Sequence, residues 1–97
     1  MAYDPGAIDA TLAAAVGDDP MLIVELRLAF RESAARALAA MKRAPDPEAW
    51  QAAASRLKGL SASFGAVRLM ALASEATARA PGDADMLRAL HRTLDRV

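Results

Sequence analysis

Three observations predict an all-α protein, an antiparallel four-helix bundle with a short additional N-terminal helix. About a quarter of the 97 residues are alanine, the strongest helix former. Only nine residues are β-branched, with Ile23 and Val24 the one adjacent pair, too few to line a sheet. Apolar side chains recur at steps of three and four between Pro, Gly and Asp residues that act as helix punctuation. A chain of this length reads as one domain, residues 1–97, able to bury roughly two-thirds of the surface its unfolded form exposes.

The elements follow in order. Ile8, Leu12 and Val16, four residues apart, mark the short first helix, which Gly17 closes. Asp19 then serves as N-cap and Pro20 occupies the first position of a helix running to about Ala44. Its expected core face is Leu22, Leu26, Phe30, Ala34, Ala37, Leu38 and Met41. Pro45-Asp46-Pro47 repeats the Asp-Pro start signal, and Glu48 sits in the first turn, where the helix dipole favours it. This third segment buries Trp50, Ala53, Leu57, Leu60 and Phe64 and is broken by Gly65. A fourth carries Val67, Leu69, Met70, Leu72, Ala73 and Ala76 and extends to Ala80. After the Pro81-Gly82-Asp83 turn, a fifth runs from Asp83 to Val97 with Met86, Leu87, Leu90 and Leu94 inward. Turns this short make successive helices antiparallel.

Composition excludes several kinds of chemistry. Twelve basic residues balance twelve acidic ones, so the excess of Lys and Arg that drives nucleic-acid binding is absent. No apolar run approaches the roughly 18 residues of a membrane span, and the N-terminus has no basic, then apolar, leader pattern. The expected location is the cytoplasm, with no membrane and no nucleic-acid partner. Without cysteine there is no thiolate nucleophile and no Cys-type zinc site, and one histidine, His91, leaves little for a metal centre or triad. No cofactor and no metal site is expected, and the absence of paired carboxylates or a Gly-rich phosphate loop argues against an enzyme.

The third segment has an unusual outer face. At 100° per residue, Trp50, Ala53, Ala54, Leu60, Ser61 and Phe64 fall within about 60° of Leu57 and form the core stripe. Opposite lie Glu48, Gln51, Ala52, Ser55, Lys58, Gly59 and Ala62. Solvated helix faces are ordinarily filled with long polar side chains, yet the centre here is Ala52, Ser55, Gly59 and Ala62. Gly59 costs a helix interior about 1 kcal/mol relative to alanine. Either the glycine marks fraying or lets a neighbouring helix approach at this point, or a partner docks on a shallow strip flanked by Lys58.

The run Ala54-Ser55-Arg56-Leu57-Lys58-Gly59-Leu60-Ser61-Ala62-Ser63-Phe64-Gly65-Ala66, followed by Leu69 and Leu72, resembles the signature of histidine-containing phosphotransfer (HPt) domains. The segment from Phe30 to Leu38 and Trp50 fit the same helix spacing, so the resemblance spans nearly the whole chain. It implies a four-helix bundle in which an exposed mid-helix histidine exchanges a phosphoryl group with an aspartate of a response-regulator receiver domain. By position, Lys58 would attract the phosphoryl group and Gly59 would keep the acceptor accessible. The acceptor position itself is Ser55.

That departure bears on mechanism. Imidazole, with an unperturbed pKa of about 6.5, is nucleophilic near neutral pH, whereas a serine hydroxyl needs an adjacent base. Positions 51, 52, 58, 59 and 62 are Gln, Ala, Lys, Gly and Ala and supply none. His91 does not substitute, because Leu94 and Asp95 stand where the resemblance requires lysine and glycine; it reads as structural. The expectation is a degenerate HPt-like module, not an enzyme, that docks a receiver domain or a sensor histidine kinase through Gln51, Ala52, Ser55, Lys58, Gly59 and Ala62 without carrying phosphate. Arg56, Lys58 and Arg68 would complement an acidic receiver pocket or simply solvate the helix faces. Two alternatives stand beside it: a transfer-competent HPt domain altered at position 55, and a bundle that homodimerises through the small strip. A monomer is expected over a homodimer.

Overall fold

The computed structural model describes residues 8, 10–12, 14, 17 and 19–97. Four main helices form the bundle: α1 (Pro20–Arg43), α2 (Pro47–Ser63), α3 (Val67–Ala76) and α4 (Ala84–Asp95). Ahead of them, Ile8, Ala10, Thr11, Leu12 and Ala14 are helical. Ile8 and Leu12 are buried in the same core, while Val16 lies outside the described residues.

The start signals act as expected. The Asp19 carboxylate accepts from the Met21 and Leu22 amides at 3.1 and 3.2 Å, Asp46 from Ala49 at 2.8 Å, and Asp83 from Met86 at 2.9 Å. Each satisfies amides that the first helical turn leaves without a partner, worth about 1 kcal/mol apiece. Lys42 and Arg43 in the last turn of α1 complement its dipole.

Gly65 ends α2. Its φ of 72° lies in the left-handed region. The Ala66 amide donates to the Ser61 carbonyl at 2.9 Å and the Gly65 amide to the Ala62 carbonyl at 3.3 Å, which together make a Schellman turn. The chain reverses there and α3 begins at once.

Around the bundle α1 packs on α2 and α4, and α3 packs on α2 and α4, closing a ring. Phe30, Ala34, Ala37, Leu38 and Met41 of α1 meet Trp50, Ala53, Ala54 and Leu57 of α2, Leu69, Leu72, Ala73 and Ala76 of α3, and Met86, Leu90 and Leu94 of α4. The Phe30 and Phe64 rings stack with centroids 5.0 Å apart, tying the middle of α1 to the end of α2.

Two residues assigned to the core by spacing are exposed. Leu22 lies eight residues before Phe30, and Phe30 already meets the end of the antiparallel α2, so α2 has no helical turn left to cover Leu22. Val67 points away from the face shared by Leu69, Leu72, Ala73 and Ala76. Leu26, Leu60, Phe64, Met70 and Leu87 are half-buried at the margins. α3 ends at Ala76 rather than Ala80, and α4 at Asp95 rather than Val97.

One consequence can be measured. An alanine at position 65 would be forced into the left-handed region, so Gly65→Ala should lower the unfolding free energy in urea by about 1–2 kcal/mol.

Candidate functional site

α2 is locked in rotation by its first turn. The Trp50 indole is fully buried, and its Nε1–H donates to the Ala76 carbonyl at 2.7 Å. Beside it, the Gln51 amide reaches the Thr77 carbonyl at 3.4 Å. Both acceptors lie at the C-terminal end of α3, where carbonyls have no partner within the helix. A tryptophan held this way cannot turn outward without breaking this bond and exposing its large apolar ring to water.

With Trp50 inward, the opposite face of α2 is open. Gln51, Ala52, Ser55, Lys58, Gly59 and Ala62 are all exposed, so the six residues picked out by spacing share one solvent-facing strip. Arg56 and Arg68 are exposed as well. A Cβ built on Gly59 would meet nothing within 4 Å. Among the described residues the glycine therefore serves no close helix approach, which removes that reading.

The strip is chemically plain. Among the described residues, Ser55 has no carboxylate or imidazole bonded to its hydroxyl. The two neighbouring serines on α2 are spent on the backbone: Ser61 Oγ donates to the Leu57 carbonyl at 2.8 Å and Ser63 Oγ to the Gly59 carbonyl at 3.0 Å. Ser55, exposed at the centre of the strip, makes no such backbone bond.

His91 is exposed on α4 and lines a groove against α1 with Arg31 and Lys42. This groove brings together residues roughly 50 to 70 positions apart in the chain, and no local spacing in either helix announces it. Among the described residues, no helix is long and apolar enough to cross a membrane.

Two substitutions test the anchoring and the openness of this face. Trp50→Phe removes the indole donor, leaving the Ala76 carbonyl only its bond from the Arg79 amide, and opens a gap where the larger ring sat, so it should cost about 1–3 kcal/mol in denaturant titration. Gly59→Ala adds a methyl group into open space on a regular helix and should raise stability by about 0.5–1 kcal/mol in the same assay.

The family model described as "Hpt domain" matches residues 25–97, about three-quarters of the chain and all four segments that carry the strip and its support. No curated protein and no solved structure matches the chain. The family match, over about three-quarters of a chain folded as a four-helix bundle, identifies it as a member of the Hpt-domain family.

Proposed function

We propose that this Hpt-family chain, a helical module of the kind used in phosphorelay signalling, docks a response-regulator receiver domain, or a sensor histidine kinase, through Gln51, Ala52, Ser55, Lys58, Gly59 and Ala62, and that it does not carry phosphate. The observation that carries this reading is the open space over Gly59, one turn beyond Ser55, on a face built almost entirely of short side chains. A helix gives up about 1 kcal/mol to place glycine there, and nothing among the described residues makes use of the room. A partner approaching the helix would.

Relay chemistry at this position requires an imidazole. A histidine nitrogen attacks the phosphorus of a receiver's aspartyl phosphate, the P–O bond to the carboxylate breaks, and the ring N–H proton leaves to solvent. The resulting phosphoramidate is reactive enough to return the group. Ser55 lacks a base to take its proton, and a serine phosphate ester would be a sink rather than a relay. Exposed Lys58 remains available to attract an acidic receiver pocket, with long-range charge acting mainly on the rate of encounter.

The test is a titration of the purified chain against receiver domains from the same cell, combined with a phosphotransfer assay. Binding is expected without label transfer to the native chain, and Ser55→His is expected to gain label from a phosphorylated receiver. Lys58→Ala should weaken binding several-fold, with the difference shrinking at high salt. Failure of every receiver and kinase to bind a folded chain rules the reading out, and labelling of the native chain at Ser55 rules out its non-relay half.

A further inference from the structure

Four of the five large apolar side chains exposed among the described residues lie in the first nine residues of α1. Met21, Val24 and Leu28 are 72%, 55% and 53% exposed and succeed one another at steps of three and four, so they form a ridge along one side of the helix. Continued at 100° per residue, that side passes through Ala35 and Ala39 within an arc of about 60°. There the surface sinks into a groove of about 510 Å³ between α1 and the His91, Leu94 and Asp95 side of α4. One half of the stripe is bulky and the other half is small, and Leu28, where they meet, also lines the groove. No residue of α2 lines the groove, so this surface is separate from the Ser55 strip.

We propose that this stripe is the interface of a homodimer, with α1 packed antiparallel on α1 of a second copy about a two-fold axis between Arg31 and Glu32. Ridge and groove lie at equal distances along the helix from that point. Leu28 then stands opposite the second copy's Ala35, Val24 opposite its Ala39, and Met21 against the aliphatic stem of its Lys42, each contact occurring twice. The closed two-fold fills both grooves and covers both ridges, whereas an unrelated helix would match only one half of the stripe.

Charge along the flanks agrees with this arrangement. Glu25 and Arg36 lie on one flank of the stripe, and the two-fold brings each Glu25 to within about 3 Å, measured along the helix axis, of the level of the second copy's Arg36. Each Glu32 comes near its own copy but has Arg36 one turn along. Arg31 meets its copy on the other flank, where Asp95 lines the same groove and supplies a carboxylate. Exposed apolar residues in a contiguous row of this kind mark association surfaces.

The chain contains no cysteine, so engineered disulfides report the arrangement without background. Positions 28 and 35 are about 10.5 Å apart within one helix, beyond the ~7 Å over which a disulfide can form. The Leu28→Cys/Ala35→Cys variant is therefore expected to cross-link only between chains, and Leu28→Cys alone not at all. Light scattering of the native chain should give twice the chain mass. Leu28→Glu, at an exposed site, should weaken the dimer at least tenfold with its far-UV circular dichroism unchanged. Ala35→Trp, which fills the groove, should do the same. A monomeric mass up to millimolar concentration overturns the proposal. So does a dimer that cross-links through Leu28→Cys alone, as a parallel pair would, or through Gly59→Cys on the α2 strip. None of these outcomes depends on whether a receiver binds.

Discussion

The setting of α2 depends on one buried hydrogen bond, from the Trp50 indole to the carbonyl of Ala76. A tryptophan is among the largest side chains to bury, and its single polar atom accepts only one orientation once a partner is fixed. Because the partner is the frayed end of α3, the bond joins the first turn of α2 to the last turn of its neighbour. At the other end, the Schellman turn at Gly65 brings the chain straight into α3. A helix pinned at both ends has no freedom to roll, and the face opposite Trp50 is held outward along its whole length.

That outward face is cheap to expose because it contains almost no apolar bulk, and costly to maintain because it contains glycine. The rest of the bundle absorbs the cost. Asp N-caps at α1, α2 and α4 satisfy the amides that short helices would otherwise leave open. A continuous core running from Ile8 to Val97 supplies the burial that propensity alone would not. Membership of the Hpt-domain family gives this division of labour a purpose, since a relay module needs a rigid helix with one reachable face. In the proposed reading, the serine at position 55 alters the chemistry of that face and leaves its support as it is.

The two surfaces of the molecule differ in kind. The α2 strip is open and has short side chains at its centre, as the proposed docking of a partner would require. The α1 stripe is a row of exposed apolar side chains leading into a groove, the pattern of a surface that is covered. They occupy different helices, so occupation of one leaves the residues of the other free.

Much of this protein is legible in its sequence because the signals are local. Asp19-Pro20, Asp46-Pro47 and Gly65 act within a turn of themselves, and each stands where the helices begin or end. The strip on α2 is equally local, since residues on one helix face are fixed by the 3.6-residue repeat alone. What the sequence could not decide is which neighbours reach which turn. Leu22 has core spacing but lies beyond the end of α2, and Val67 is apolar but turned from the face its helix buries. The partner of the Trp50 indole and the groove between α1 and α4 exist only once distant segments meet. Periodicity fixes the direction a side chain takes from its own helix axis; whether anything stands in that direction is set by the lengths and packing of the other helices.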